Sequence, residues 1–413
     1  MVRLFIIADD FTGALDTGVK LASLGASTRV VTVFPEDPAA CEGDVLVWDA
    51  ETRHMTPQQA YETVRAGAAR LRGCGDCFIF KKTDSALRGN IGAELEGLLQ
   101  GLGERRIAFL PAYPEIGRTT EGGVQYIDGV PVAESVFGQD LLNPVRHSRI
   151  GEIIGEQSGL AVHGADAAQP MLSCDGVTVF DACARQQMNE IFTALQRQGV
   201  RLFAGCAGAG ACLPQLLRLQ DEGYAQPVLQ QPFFVLCGSI NAVTEAQLAH
   251  AEAQGFSRLR LTPEQTLEEG WWERPEAEAL LEQIRSRIGE KRSVIVDAMD
   301  QIPGQTVAAA RALGLSVDDV RTRISQSLSG IFRRIFSAQG LGTMILIGGD
   351  TLQACMKAMD VSEMEPIAEL AAGVVLARFR WGGCVRYVLT KSGGFGVPTL
   401  LTDLAAAAGP EVC

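Results

Sequence analysis

The sequence predicts an α/β protein of two domains: an amino-terminal, doubly wound and mainly parallel sheet, followed by a carboxyl-terminal α/β domain. Short, continuously apolar runs alternate with helical patterns, which is typical of buried parallel strands joined by crossover helices. The chain has 413 residues, enough for two or three separate cores. Its 45 glycines and low aromatic content of 6% suit many tight turns between strands and helices.

Apolar runs in the first half predict strands at 3–8, 29–33, 44–48, 77–81, 106–110, 177–180 and 201–204. Helical patterns between several of these runs lie at 13–24, 57–72, 90–102 and 184–198. This alternation implies right-handed crossovers and a doubly wound sheet. The polar segment DEGYAQPVLQQP, residues 221–232, then interrupts the pattern and predicts a linker. We therefore expect domains at 1–225 and 232–413.

A second α/β series follows the linker. Apolar runs predict strands at 233–237, 293–297, 343–347 and 383–390. Helical patterns lie at 242–254, 305–313, 316–338 and 351–359. The alanine-rich tail LAAAAGPEVC predicts a terminal helix that frays.

Charge and composition exclude several classes of partner. The net charge of −13 and the lack of a basic run argue against nucleic acid and anionic membranes. The first apolar run is too short for a signal peptide, and no stretch approaches the ~20 apolar residues of a membrane span. The scattered cysteines suit reduced thiols, which predicts a cytoplasmic protein. CGDC, residues 74–77, is a lone CxxC, which favours ordinary loop cysteines over a metal site.

Two adjacent carboxylates, Asp9 and Asp10, stand where the first predicted strand gives way to a helix. Ligands of doubly wound sheets bind at the carboxyl ends of the strands. Capping of the helix, which Thr12 could share, explains one acid but explains two less well. The other could accept hydrogen bonds from substrate hydroxyls or hold a hydrated Mg²⁺.

Cations and acids crowd the ends of the third and fourth strands. Arg53 follows the third strand, and the fourth runs into a segment that contains Lys81, Lys82, Thr83, Asp84 and Arg88. Such a set could hold a small carboxylate, because the planar fork of arginine matches two carboxylate oxygens. Asp84 could take a proton from an attacking hydroxyl. The alternative is a turn of surface salt bridges in which Asp84 and Ser85 cap a helix.

The segment LPAYPEIGRTTEGG, residues 110–123, follows the fifth strand. Two prolines make its first half rigid, and three glycines make its second half flexible. This pattern predicts a loop that could position Arg118 over the pocket or act as a lid.

Three turns of the second half are rich in glycine: LCGSINAVT (236–244), LIGGDTLQA (346–354) and LTKSGGFG (389–396). Glycine lets backbone N–H groups approach a phosphate, and a helix N-terminus favours the anion. None of the turns is a Walker A motif, and none has the GxGxxG fingerprint of dinucleotide binding. Together they predict a nucleotide phosphate site. Two sites on two domains indicate a bisubstrate transferase whose domains close around an acid and a nucleotide.

The motifs ADDFTGALDTG, KKTDSALRGNIGAEL, PAYPEIGRTT, GGDT and KSGGFG resemble those of the four-carbon acid sugar kinases, over essentially the whole chain. The resemblance implies an amino-terminal domain that binds a sugar acid and a carboxyl-terminal domain that binds ATP. It also implies magnesium-dependent phosphorylation of the C4 hydroxyl of a tetronate. On the acid side it assigns Asp9, Arg53 and the run from Lys81 to Asp84. On the ATP side it assigns Ser239, Gly348, Gly349, Asp350, Thr351, Gly393 and Gly394.

Two local differences from the family's motifs bear on the substrate. Ala86 stands where the family often has threonine, and NPVRHSRI, residues 143–150, differs from the NPMTDS-like form of 3-oxo-tetronate kinases. The second difference favours D-threonate, with D-erythronate or a 3-oxo-tetronate as alternatives. A nicotinamide-dependent oxidoreductase lacks its fingerprint here, and a sugar-acid sensor lacks a basic helix–turn–helix. The oligomeric state is open, with a homodimer as one candidate.

Overall fold

The computed structural model describes residues 1–139, 144–165, 170–219 and 228–409. The chain forms two compact units, Met1–Tyr224 and Ala225–Cys413. Most of the predicted linker, Asn143 of the NPVRHSRI segment and the end of the alanine-rich tail lie outside the described residues.

Seven strands of the first unit follow the predicted apolar runs, and four further strands, among them Val162–Ala165, were not predicted. In chain order they are β1 (Leu4–Ala8), β2 (Thr28–Val31), β3 (Val45–Asp49), β4 (Phe78–Lys82), β5 (Arg106–Leu110), β6 (Arg118–Glu121), β7 (Val124–Ile127), β8 (Val130–Pro131), β9 (Val162–Ala165), β10 (Gly176–Phe180) and β11 (Leu202–Gly205). Its helices are α1 (Phe11–Ala22), α2 (Pro57–Arg70), α3 (Ile91–Leu102), α4 (Ile150–Gly155), α5 (Arg185–Arg197), α6 (Ala207–Gly210) and α7 (Leu213–Leu217).

The predicted doubly wound, parallel sheet of the first unit is confirmed. Its strands lie in the order β2-β3-β1-β4-β11-β5-β10-β9, and every neighbouring pair is parallel. The register pairs Ala8 with Asp49 on one side and with Lys82 on the other. Side chains that follow β1, β3 and β4 therefore share one edge of the sheet.

A small antiparallel sheet, β6-β7-β8, was missed by the sequence analysis. It contains the segment predicted as a flexible loop, and Arg118 pairs there with Ile127. The strands have only two to four residues each and lie between glycines, so the sequence pattern is that of a loop. The structure thus gives Arg118 a fixed backbone.

The strands of the second unit are β12 (Phe234–Cys237), β13 (Ser257–Arg260), β14 (Val294–Asp297), β15 (Met344–Ile347), β16 (Glu363–Ala371), β17 (Val374–Trp381) and β18 (Cys384–Lys391). Its helices are α8 (Ala242–Ala253), α9 (Pro263–Leu267), α10 (Pro275–Gly289), α11 (Gln305–Ala312), α12 (Val317–Ile335), α13 (Gly349–Ala358) and α14 (Leu400–Ala407). Strands β13, β16 and β17 and helices α9 and α10 were not predicted.

The second unit combines parallel and antiparallel strands. The strands β13-β14-β12-β15-β18 are parallel, whereas β17 pairs antiparallel with β18, and β16 with β17. Strand β16 was missed because buried and partly exposed residues alternate along it, and a search for continuous apolar runs passes over that pattern. None of the described helices is long and apolar enough to cross a membrane.

Candidate functional site

The first candidate site lies at the carboxyl edge of β1, β3 and β4. Asp10 is the N-cap of α1, since its Oδ1 accepts from the Gly13 N–H at 3.1 Å and its Oδ2 from the Thr12 hydroxyl at 2.7 Å. The capping interpretation therefore fits Asp10. Asp9 is 2% exposed, and its Oδ1 has no hydrogen-bond donor in the part of the chain that the structure describes. Asp9 thus offers a buried acceptor that a ligand hydroxyl could satisfy.

Arg53 binds both carboxylates. Its Nε donates to Asp9 Oδ2 at 2.8 Å, and its Nη1 and Nη2 donate to the two Asp10 oxygens at 2.9 and 2.8 Å. Burial lowers the pKa of Arg53, but Asp10, Asp9 and Asp84 more than compensate and raise it well above its ordinary value. The fork of Arg53 is therefore engaged by protein carboxylates in this structure.

The two adjacent lysines have different surroundings. Lys82 Nζ lies 3.9 Å from Asp9 Oδ1, in the same cluster as Arg53. Lys81 Nζ lies 2.8 Å from Glu94 Oε2 on α3, and both side chains are fully buried. Successive side chains of a strand point to opposite faces, so neighbouring lysines cannot serve the same site equally. Thr83 is also fully buried, and its N–H donates to Gly205 O at 2.8 Å.

Asp84 is held by Arg88. Arg88 Nε and Nη2 donate to the two Asp84 oxygens at 2.9 and 3.0 Å. Asp84 Oδ2 also accepts from the Ala86 and Arg88 N–H groups. Burial raises the pKa of Asp84, but Arg88 and Arg53 outweigh it, and the pKa lies far below its ordinary value. Such a carboxylate is a weak proton acceptor, and the arrangement favours orientation of a hydroxyl over its deprotonation.

Structural side chains hold the cluster in place. Asn90 Nδ2 donates to Thr52 O at 2.7 Å and Met55 O at 2.9 Å, which fixes the turn that contains Arg53. A Cβ on Gly89 would lie 3.3 Å from Arg53 Cγ, so the loop that follows Asp84 packs closely on this arginine.

Two buried acids at this site were missed by the sequence analysis. Asp49 ends β3; burial first, and then repulsion by Asp10, raises its pKa well above the ordinary value. Glu94 lies in the apolar pattern IGAELEGLL. An acid at a position where this pattern predicts burial was the signal that could have identified it. Burial also raises the pKa of Glu94, although Lys81 opposes the shift. A buried acid on an apolar helix face needs a polar or charged partner, and the sequence analysis should have assigned one to Glu94.

The second candidate site is formed by the three glycine turns. They follow β12, β15 and β18, whose register pairs Cys237 with Ile347 and Ile347 with Lys391. A Cβ on Gly393 would collide with Ser239 Oγ, and one on Gly238 would collide with Thr351 Oγ1. The turns therefore meet around these two hydroxyls, at a separation that only glycine allows.

Helix α13 begins in the middle turn with open N–H groups. Gly348 is its N-cap, at φ +108° and ψ 137°, and no side chain caps the helix. Its first N–H groups have no partner within the helix, and this terminus carries partial positive charge. Asp350 in the first turn lies 3.6 Å from Arg321 Nη1. This arrangement suits an anion such as a phosphate.

The buried side chain of Lys391 holds the third glycine turn in place by hydrogen bonds. It is 1% exposed, and its Nζ donates to Thr244 Oγ1 and to the carbonyls of Ser392 and Gly393 at 2.9–3.2 Å. Burial lowers the pKa of Lys391 to about 8. Lys391 thus shapes the turn that contains Gly393 and Gly394.

The CGDC cysteines are ordinary buried thiols in this structure. Cys74 and Cys77 are free, and burial raises the pKa of Cys74 to about 11. Thiols of this kind stay protonated near neutral pH and react slowly.

Fold and sites together fit the class of two-part transferases, with a polar, ion-paired cluster on one α/β unit and three glycine turns that meet at a helix N-terminus on the other. Two family models match the chain, one in each unit. Residues 4–213 match a sugar-binding N-terminal domain, and residues 234–401 match a nucleotide-binding C-terminal domain. The chain belongs to the four-carbon acid sugar kinases.

Three curated relatives of the chain are kinases of four-carbon acids. It is 30% identical to a D-threonate kinase of Salmonella typhimurium, across 97% of each chain. It is 26% identical to a D-erythronate kinase of Heliobacterium modesticaldum, across 95% of this chain and 94% of the relative. It is 28% identical to a 3-oxo-tetronate kinase of Methylobacterium radiotolerans, across 96% of each. The chain is therefore an enzyme, a kinase of a four-carbon sugar acid.

Solved structures share the fold. Haemophilus influenzae protein HI1011 matches with a TM-score of 0.71 at 21% identity, across 97% of this chain and 99% of its own. A protein of Salmonella typhimurium LT2 matches with a TM-score of 0.74 at 21% identity, across 97% and 98%. These similarities confirm the α/β fold class.

Proposed function

We propose that this kinase uses ATP and Mg²⁺ to phosphorylate the C4 hydroxyl of D-threonate, giving 4-phospho-D-threonate. The observation that carries the substrate is the 30% identity to a D-threonate kinase along 97% of both chains. D-Erythronate and a 3-oxo-tetronate are the alternatives, since relatives with those names are 26–28% identical. In this proposal residues 1–225 bind the acid and residues 232–413 bind ATP.

The acid side of the proposal depends on the ion-paired cluster. Asp9 accepts a hydrogen bond from a middle hydroxyl of the substrate, because its Oδ1 is buried without a donor among the residues described. Arg53 holds Asp9 and Asp10 in position, and Lys82 balances their charge. Asp84, fixed by Arg88, orients the C4 hydroxyl for attack. Lys81 and Thr83 are buried at the end of β4, where they support the residues that contact the acid.

The ATP side depends on the glycine turns. The open N–H groups at Gly349, Asp350 and Thr351 bind phosphate oxygens, and Ser239 donates its hydroxyl beside them. Gly393 and Gly394 let the third turn approach the Ser239 hydroxyl, because any Cβ on Gly393 would collide with it.

Mg²⁺ fits this site as an ion brought by ATP. Across the four described ranges, no cluster of three or more His, Cys, Asp or Glu side chains is placed to hold a metal. Mg²⁺ keeps several waters and binds through one or two carboxylates and substrate phosphates, and Asp350 is the carboxylate of the middle turn. The ion would neutralise charge on the β and γ phosphates, and the chain's own residues supply binding and orientation.

An ADP-release screen tests the proposed substrate. The purified protein is incubated with ATP, Mg²⁺ and each isomer of threonate, erythronate and 3-oxo-tetronate. We expect the highest kcat/KM with D-threonate, and the product should bear phosphate at C4. A higher kcat/KM with erythronate or a 3-oxo-tetronate would replace D-threonate by that acid, whereas no ADP release with any of them would reject the proposal.

Replacement of Gly348 by alanine is expected to weaken ATP binding roughly tenfold, because a residue with a Cβ is strained by about 1–3 kcal/mol at φ +108°, and relief of this strain would displace the open N–H groups that follow. Calorimetric titration with a non-hydrolysable ATP analogue measures the change. Gly383→Ala is the matched control, since Gly383 has φ +79° in the β17–β18 turn and open space around it. Equal loss of affinity in both variants would argue against a phosphate site at Gly348.

The cytoplasm is the proposed location, because a kinase of this type draws on the ATP pool there. The cysteines within the described ranges are free, which agrees with a reducing compartment.

A further inference from the structure

Arg118 is a cation of the first unit that has one unused hydrogen-bond donor among the described residues and an exposed ion-pair partner. Its side chain is 16% exposed, and its Nε is buried without a hydrogen-bond acceptor among the described residues. Its Nη1 donates to Ile116 O at 3.2 Å. Asp128 Oδ2 lies 3.7 Å from Arg118 Nη1, on a side chain that is 76% exposed. A buried guanidinium with an empty donor costs free energy unless a ligand supplies the acceptor.

The hairpin places Arg118 beside the ion-paired cluster. Arg118 and Arg88 each lie 5.2 Å from the centre of the Phe137 ring. Gln125 on β7 is fully buried and donates to Ser85 O at 3.2 Å, which ties the hairpin to the loop that contains Asp84. Burial lowers the pKa of Arg118, and the charges of Asp128 and Asp84 oppose this shift. Arg118 is therefore held at the site by a rigid element.

The partners of the donors distinguish Arg118 from the other cations of the site. Arg53 and Arg88 pair with Asp9, Asp10 and Asp84, and Lys82 Nζ lies 3.9 Å from Asp9 Oδ1. A substrate carboxylate that entered this cluster would compete with protein carboxylates for the same donors. The Arg118 Nε–H has no acceptor among the described residues and can form one arm of a two-point contact with a carboxylate.

We propose that Arg118, rather than Arg53, binds the C1 carboxylate of the sugar acid and makes the enzyme select acids over uncharged polyols. This assignment rests on the proposed function, because it presumes a four-carbon acid in the first unit. Arg53 then acts as a positioning residue that holds Asp9 and Asp10. The cation–π contact of Phe137 fixes the plane of the Arg118 guanidinium and so the direction of its fork.

The test compares charged and uncharged substrates in three variants. Arg118→Gln removes the charge and the fork, Arg118→Lys keeps a point charge, and Arg105→Gln is the matched control. Arg105 lies at the amino end of β5, with a 79% exposed side chain that pairs with Asp175. Kinetics are measured on the acid that the wild type prefers and on the four-carbon polyol of the same configuration, which lacks the carboxylate. The unfolding temperature and the KM for ATP report on folding.

For Arg118→Gln we expect the KM for the acid to rise roughly 10- to 100-fold, the value of one charge-assisted hydrogen bond. The KM for ATP and kcat/KM on the polyol should stay within about twofold, so the preference for the acid falls. Arg118→Lys should keep part of that preference, and Arg105→Gln should match the wild type. If Arg118→Gln fails to fold, the Arg118→Lys variant still decides, because an unchanged KM for the acid would overturn the assignment.

Two failures can be told apart. If the wild type turns over an acid and Arg118→Gln leaves its KM unchanged, or lowers kcat/KM equally on acid and polyol, the assignment of Arg118 is wrong and the proposed function stands. If the wild type neither binds nor phosphorylates any four-carbon acid, the proposed function is wrong, and the assignment falls with it.

Discussion

Replacing Asp84 by asparagine is expected to lower kcat by roughly 10²-fold, through lost orientation of the hydroxyl, while the affinity for ATP stays nearly unchanged. The carboxylate accepts from Arg88 through two guanidinium nitrogens and from two backbone N–H groups. An amide keeps the shape but loses the charge, so Arg88 is no longer held and the hydroxyl is no longer oriented. Steady-state kinetics with both substrates varied, and calorimetry with an ATP analogue, measure the two effects.

The pH dependence separates orientation from proton abstraction. The pKa of Asp84 is held far below its ordinary value, so the carboxylate is ionised at every pH where the enzyme is assayed. We therefore expect the pH profiles of kcat/KM for the wild type and for Asp84→Asn to have the same shape between about pH 5 and 8. A fall in kcat/KM with pH that the wild type shows and Asp84→Asn lacks would instead identify Asp84 as the general base.

The free energy of unfolding should also depend on the ionisation of Asp84. Because the folded pKa of Asp84 is lowered, its contribution is present above the unfolded pKa of about 3.9 and is lost as the pH falls below that value. The difference in unfolding free energy between the wild type and Asp84→Asn should thus narrow below about pH 4. Asp175→Asn, an exposed acid at the amino end of β10, is the matched control and should change neither kcat nor this pH profile. A kcat of Asp84→Asn within twofold of the wild type would remove Asp84 from the reaction.

Replacing Lys81 by methionine is expected to lower the free energy of unfolding by about 3–5 kcal/mol, since it leaves Glu94 buried and unpaired. Adding Glu94→Leu should restore stability to within about 1 kcal/mol, because an apolar pair can replace a buried ion pair. Urea denaturation of the wild type, both single variants and the double variant measures the coupling.

Kinetics of the double variant decide whether Lys81 also binds substrate. If Lys81 is structural, the KM for the acid should return towards the wild-type value together with stability. A stable double variant whose KM for the acid stays tenfold or more above the wild type would show that Lys81 contacts the substrate, and the division of roles between Lys81 and Lys82 would be wrong.

Much of the fold could be predicted because its signals are local. The apolar runs of β1, β3, β4 and β5 are found within one or two residues of their predicted bounds, since a strand buried on both faces has a continuous apolar sequence. The capping of α1 by Asp10 is local too, because the N-cap bonds to an N–H three residues later. Strand β16 was missed because its alternating pattern has meaning only beside a neighbouring strand. Strand β17 begins with the apolar run VVLA, which the sequence analysis passed over.

By itself, the sequence determined where the charged residues of the site gather, since each strand end and each glycine turn is specified by residues that are adjacent in the chain. The tertiary structure alone decided which charges pair. Arg53 lies 43 and 44 positions from Asp10 and Asp9 along the chain, and Lys81 turns from Lys82 to meet Glu94 on α3. Burial fixes such partners, because each buried charge needs an opposite charge within a few ångströms, and only the folded chain determines which one is near.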